Sequence, residues 1–155
     1  MGNLIKDITD GTSITASAEG ITISALIKAN TVAVGDILEI DWGYKKTVAT
    51  ANLTARLRIN TSASLSGATA LATRTTTASI FHGFSGRILH VKASNDTRVV
   101  AAPTNNGTLP DLASANAETS VNIDWTVDQY LIVSMAHSSG SANASYSTML
   151  LVRKR

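Results

Sequence analysis

The sequence predicts an all-β protein, an antiparallel β-sandwich of about eight to ten strands. Apolar and polar residues alternate with period two in several short segments, and clusters of turn-forming residues separate these segments. Thr and Ser account for 20 and 17 of the 155 residues, a composition that favours strands over helices. Short strands joined by loops, without intervening helices, favour antiparallel sheets that pack face to face.

The first three candidate strands, 21–27, 38–45 and 52–60, show this alternation most clearly. The third is the most regular, because every second side chain in it is apolar and the residues between them include Arg56 and Arg58. The residues expected to face the core from these strands are Ile21, Ile23, Ala25, Ile27, Leu38, Ile40, Trp42, Tyr44, Leu53, Ala55, Leu57 and Ile59.

The second half of the chain predicts further strands, some of them bounded by short turns. Residues 68–78 are rich in Thr and suit an exposed strand, and Ser85-Gly86 is expected to separate two more. Both prolines lie in 103–116, which is predicted to be the long surface loop, and 137–143 reads as a hairpin loop. The strands expected here are 68–78, 80–84, 87–93, 97–102, 121–127, 130–135 and 146–152.

Length and composition limit the classes of function. A chain of 155 residues can form one domain with its own core, and the absence of cysteine excludes disulfides, thiolate metal sites and cysteine nucleophiles. The formal net charge of +2 is too small to indicate a nucleic-acid partner. The apolar runs are far shorter than the roughly 18 residues of a membrane span. No secretion signal is expected in the polar N-terminal residues.

The residues that normally carry catalysis form no recognisable constellation. His82 and His90 would lie about 26 Å apart on one strand at 3.3 Å per residue, too far apart to share a metal ion. Each of them, like His137, is expected to have a surface or strand-edge role. The Gly83-Phe84-Ser85-Gly86 segment lacks the second glycine of a nucleophile elbow, since Arg87 follows it. The sequence therefore predicts no enzyme, no cofactor and no metal site.

Aromatic and basic residues could form a binding surface for a sugar or a nucleic acid, but their positions favour simpler roles. The side chains of Trp42, Tyr44, Trp125 and Tyr130 occupy in-phase positions on apolar faces, which favours a place in the core over an exposed sugar-stacking platform. The pair of arginines in 52–60 and the basic residues 153–155 are interpreted as a solvated strand face and a solvated tail.

Four segments of the sequence resemble small jelly-roll domains of bacteriophage virion proteins. Residues 27–40, IKANTVAVGDILEI, are similar to the segment I-x-A-N-T-(x)3-G-D-x-(L/I)-x-I of that group. Residues 56–60 and 64–69 resemble its R-x-R-I-N-T strand and the L-S-G-A-T loop. Residues 123–130 and 146–153 resemble its penultimate hairpin and closing strand. The resemblance covers roughly residues 7–153, and it implies a jelly-roll-like sandwich.

The resemblance implies a non-enzymatic virion protein, commonly a homotrimer, in contact with other capsid or tail proteins. A head decoration or head fibre protein is the expected role. The alternatives are a tail-borne adhesin that binds a host surface glycan and a carbohydrate-binding module. An exposed aromatic among Trp42, Tyr44 and Trp125, beside the loop 103–116, would favour the adhesin.

The N-terminal residues suggest how the chain attaches to a particle. Residues 1–20 are expected to be an extended attachment segment, and residues 21–155 the sandwich domain. The segment contains three aliphatic residues, Leu4, Ile5 and Ile8, in surroundings too polar to form a core. We expect them to be buried against a partner and the segment to be mobile in the free protein.

Overall fold

The computed structural model describes residues 2–15, 17–47, 51–79, 81–101, 118–138 and 144–155, and every regular element in them is a β-strand. The predicted loop 103–116 lies outside the described residues. The ten strands are β1 (Gly2–Asp7), β2 (Gly20–Ile27), β3 (Ile37–Lys46), β4 (Leu53–Asn60), β5 (Thr69–Thr76), β6 (His82–Ala93), β7 (Asp96–Ala101), β8 (Glu118–Val121), β9 (Gln129–His137) and β10 (Ser145–Lys154).

The strands form two sheets, and all neighbouring strands are antiparallel. The six-stranded sheet has the order β1-β10-β3-β6-β7-β8, and the four-stranded sheet has the order β2-β9-β4-β5. The prediction of an all-β antiparallel sandwich is therefore confirmed. In the described part of the chain, no helix is long and apolar enough to cross a membrane.

The strand pairs are nested along the sequence. β1 pairs with β10, β2 with β9, β3 with β6 and β4 with β5, so each successive pair lies inside the previous one in the chain. β7 and β8 continue the six-stranded sheet beyond β6. The connections β2–β3, β4–β5 and β6–β7 consequently lie at one end of the sandwich, together with the start of β1 and the end of β10.

The core lies between the sheets and is built from every second residue of the central strands. In β4 the side chains of Leu53, Ala55, Leu57 and Ile59 are buried, as predicted, and the residues between them are partly exposed. β3 contributes Leu38, Ile40, Trp42 and Tyr44 from the facing sheet, also as predicted. Because these two strands occupy internal positions, their inner faces are covered along their whole length.

Two predicted strands become one in the structure. His82–Ala93 is a single strand, and Ser85 and Gly86 do not interrupt it because they pair with Trp42 and Asp41 of β3. Gly83 lies beneath the Tyr44 ring, where an added Cβ would be 1.9 Å from Tyr44 Cζ. The glycines of this segment therefore do not mark a turn, and at Gly83 the missing side chain makes room for the aromatic ring of the paired residue.

Residues 121–127, which alternate like a strand, are not one. β8 ends at Val121, and residues 122–128 form the connection to β9. Ile123 and Trp125 are still buried, while Asn122 and Asp124 are exposed. The alternation thus reflects burial against the core at the end of the sandwich, without a paired strand.

The N-terminal residues belong to the six-stranded sheet. β1 pairs with β10 over its whole length, and beyond it Ile14 forms an isolated bridge with Ser145. The side chain of Ile5 is in the hydrophobic core, and Leu4 packs against that core. The expectation that both are buried only against a partner therefore needs correction, because the partner strand is supplied by the distant end of the same chain.

Candidate functional site

The outer face of the six-stranded sheet combines partly exposed apolar residues with paired charges. Strand register places Ile88 of β6 between Glu39 of β3 and Val100 of β7, and it places Leu151 of β10 beside Asp41. Phe84, on the same face, is 53% exposed. These side chains point away from the core because their neighbours in sequence point into it.

The charges at the centre of this outer face neutralise one another. Arg153 bonds to Glu39 at 3.5 Å and to Asp41, and Arg155 bonds to the other oxygen of Glu39. Two carboxylates and two guanidinium groups give this group no net charge. When such a surface contacts another apolar surface, removing water from paired charges costs less free energy than removing it from single unpaired charges.

The three residues predicted for attachment occupy different environments. Ile5 is 8% exposed in the core, and Leu4 is partly buried, whereas Ile8 is 67% exposed just after β1 ends. The structure therefore does not bring the three together as one apolar contact. Ile8 is the member of the set that remains accessible to a partner.

The aromatic residues considered for sugar stacking are mostly buried. Trp42 and Tyr44 are 0% and 2% exposed, and their ring centroids lie 5.8 Å apart in the core. Trp125 is 6% exposed and Tyr130 is partly buried. A place in the core is thus confirmed for Trp42, Tyr44 and Trp125, and these residues do not supply the exposed platform that would favour an adhesin. The exposed aromatics found instead are Phe81 and Phe84.

A small pocket lies at the end of the sandwich where the β2–β3 connection meets the β8–β9 connection. Its volume is about 330 Å³, near the lower limit for small-molecule sites. Trp125 lines it, with its indole Nε1 donating to Thr97 Oγ1 at 3.1 Å. The remaining lining residues are Asn30, Val32, Ala33, Val34, Val91, Ser94 and Thr126.

The two arginines of β4 meet a carboxylate that the sequence did not associate with them. Glu19 accepts hydrogen bonds from Arg58 Nε and Nη2, both at 2.9 Å, and lies 3.1 Å from Arg56 Nη1. Ser134 of β9 also donates to Glu19. Burial raises the pKa of Glu19, but these hydrogen bonds and charges outweigh it and lower the pKa below its usual value. No local sequence signal joins residues 39 positions apart.

The histidines show no shared site. His82 and His90 both lie on β6, eight residues apart, and His82 is exposed. His137 is buried at the end of β9, where Nε2 lies 3.2 Å from the carbonyl oxygen of Ile14, so the prediction of a surface or strand-edge role was wrong for this residue. Among the described residues, no group of three His, Asp or Glu side chains is placed to hold a metal ion.

Comparison of the chain with protein-family models, with curated proteins and with solved structures yields no match. The resemblance to jelly-roll domains of phage virion proteins therefore rests on the four sequence segments alone.

Proposed function

We propose that this chain is a non-enzymatic structural protein of a bacteriophage particle, a trimeric head decoration or head fibre protein with a jelly-roll-like fold. The observation that carries the proposal is the nested pairing of β1 with β10, β2 with β9, β3 with β6 and β4 with β5. Nested antiparallel pairs distributed over two sheets favour a double-sheet jelly roll, an architecture used by viral capsid domains and also by lectin domains. This pairing supports the fold that the sequence resemblance implies.

The outer face of the six-stranded sheet supports self-association. Its apolar residues are partly exposed, and its central charges are paired within the chain. In a cyclic trimer each subunit contacts its two neighbours through two different patches, and a partly exposed apolar face can supply one of them. In this proposal, the outer face around Ile88 and Phe84 is the contact between subunits.

Light scattering on the purified chain tests the trimer. We expect a mass three times that of the 16.2 kDa chain, and a shift towards the monomer for Phe84→Asp, because a charge at an apolar contact loses its water without gaining a partner. Val127→Asp is the matched control, because Val127 is 42% exposed and lies in the β8–β9 connection, outside the sheet. A wild-type mass near 16.2 kDa would exclude the trimer.

A second candidate function is a tail-borne adhesin that binds a host surface glycan. The pocket beside Trp125 favours it, because an indole in a lining that also includes Asn30, Ser94 and Thr126 suits a sugar ring. Binding to a panel of bacterial surface polysaccharides tests this function. Val34→Trp should abolish binding by filling the pocket without altering the core, since Val34 is 59% exposed. The absence of binding by the wild type to any host polysaccharide would exclude the adhesin.

A further inference from the structure

We propose that Arg74 and Arg87 form an oxyanion-binding site in the gap between the two sheets, at the edge where β5 faces β6. The site is independent of the proposed virion role and of the pocket beside Trp125. Its ligand is an inorganic oxyanion, such as phosphate or sulfate, or a protein carboxylate, which presents the same paired oxygen atoms to a guanidinium group.

Strand register places both arginine side chains on the inner side of their sheets. Arg87 of β6 pairs with Ile40, which is fully buried, and shares its side of the strand with Leu89. Arg74 of β5 pairs with Ala55, also fully buried, and shares its side with Thr76. The two arginines therefore enter the space between the sheets from opposite sides.

The two positions differ in exposure because β5 is an edge strand and β6 is internal. Arg74 is exposed, whereas Arg87 is half-buried between β3 and β7. Arg87 Nη1 donates to the carbonyl oxygen of Gly86 at 2.7 Å, which leaves most of its donors for another acceptor. An anion can thus approach Arg74 from solvent, with Arg87 on the facing side of the sandwich.

Charge distinguishes these two arginines from the others. No carboxylate of the described residues forms a salt bridge with either of them, whereas every other arginine has a carboxylate partner: Arg56, Arg58, Arg98, Arg153 and Arg155. Burial lowers the pKa of Arg87, and the neighbouring charge of Arg74 lowers it further. Two close cations without a counter-ion are unfavourable, and an anion bound between them removes that cost.

A neutral donor completes the site. The Tyr44 hydroxyl lies against the side chains of Arg74 and Thr76, and burial raises its pKa, although the contacts with Arg74 and Thr76 act in the opposite direction. The ring reaches this position because Gly83 has no side chain. Two guanidinium forks and a phenol match an oxyanion better than a halide, since the planar fork of arginine binds two oxygen atoms at once.

Thermal unfolding of the full chain tests the site. We expect sodium phosphate to raise the unfolding temperature more than sodium chloride does at equal ionic strength, because a ligand that binds the folded state stabilises it. Arg74→Gln and Arg87→Gln should lose the part of this increment that comes from the site, leaving the smaller general stabilisation that phosphate gives folded proteins. Arg56→Gln is the matched control and should keep the full increment, because Arg56 lies on the outer face of the four-stranded sheet.

Calorimetric titration with phosphate and with acetate gives the affinity and shows whether the ligand is a free inorganic ion or a protein carboxylate. We expect at least a tenfold weaker apparent Kd in Arg74→Gln, a variant at an exposed position that folds even if Arg87→Gln does not. Tighter binding of phosphate assigns the site to a free ion, and tighter binding of acetate assigns it to a protein carboxylate. Equal effects of phosphate and chloride, or an increment retained in full in Arg74→Gln, would overturn the proposal.

Discussion

Lys46 is a charged residue that the fold accommodates at the end of the core. It is 1% exposed, and its ammonium group donates to the carbonyl oxygens of Ala51, Thr77 and Ala78 at 2.9, 3.2 and 2.6 Å. Three acceptors match the three donors of the group, although burial still lowers the pKa of Lys46. The lysine thereby joins the ends of β3 and β5, which belong to different sheets.

Gly83→Ala tests the close contact between β6 and the Tyr44 ring. We expect a loss of about 1–3 kcal/mol in the free energy of unfolding, because the new methyl group occupies the position of the ring and the ring must leave it. Gly2→Ala is the control, since nothing lies within 4 Å of a Cβ at that residue. Urea unfolding of both variants measures the difference, and equal stabilities would show that the ring does not rest on Gly83.

Glu19→Gln tests the charge cluster on the four-stranded sheet. The folded-state pKa of Glu19 lies below the ordinary value of 4.5, so its stabilising effect is present above that pH and is lost as the pH falls through the folded-state pKa. At neutral pH we expect the variant to be less stable by about 1–2 kcal/mol, because charge-assisted hydrogen bonds in a partly exposed site are lost.

The pH dependence supplies the control for this substitution. Chemical denaturation at pH 7 and pH 3 should show a difference between wild type and Glu19→Gln that shrinks at the lower pH, because below the ordinary pKa of 4.5 the unfolded chain takes up a proton at Glu19 more readily than the folded protein does. A difference of the same size at both pH values would mean that the carboxylate charge does not stabilise the fold.

At the level of elements, periodicity predicted the faces of strands better than their partners. The alternation in β3 and β4 assigned their inner residues correctly, because both strands are internal and only one of their faces is buried. It failed for residues 122–128, where the same alternation belongs to a connection. Alternation with period two indicates which side chains are buried. It does not by itself establish a strand, because a strand also needs a neighbouring strand to pair with.

The sequence did not predict which strands pair where the paired segments are far apart along the chain. β1 looked like a polar lead-in because its neighbour, β10, lies at the other end of the chain. The cluster around Glu19 and the Arg74–Arg87 pair were missed for the same reason, since each joins strands that only the fold brings together. Local propensity contains no information on such contacts.

Leu57→Ala and Arg56→Ala compare the two faces of β4. Leu57 is fully buried, so its truncation should cost about 2–5 kcal/mol through lost burial and a residual cavity. Arg56 is 29% exposed and shares Glu19 with Arg58, so its truncation should cost far less. Thermal unfolding measures both, and equal shifts would mean that the inner face of β4 is misassigned.

Ile8→Asp tests attachment through the N-terminal residues. Deleting residues 2–12 cannot separate attachment from stability, because the deletion removes β1 and the core residue Ile5. The substitution Ile8→Asp should leave the melting temperature unchanged and reduce incorporation into particles, since Ile8 is 67% exposed. Val34→Asp, at an aliphatic residue with 59% exposure, is the control. Normal incorporation of Ile8→Asp would show that attachment lies elsewhere.

At the scale of the whole molecule, the nested order of the strands and the outer face of the larger sheet are the features on which the proposed role rests. The two ends of the sandwich carry different features: the pocket is at the end with the β2–β3 connection, and Ile8 is at the end where β1 leaves the sheet. Attachment at one end would leave the other exposed to solvent. This separation suits a protein that is fixed to a particle on one side.

Immunogold electron microscopy of purified phage particles, with an antibody raised against this chain, tests the virion role most directly. We predict gold label on the particle head, in clusters consistent with trimers, and its loss when the Ile8→Asp variant replaces the wild type. Recovery of the chain only in the soluble fraction of the lysate, with unlabelled particles, would contradict the proposal that it is a virion protein.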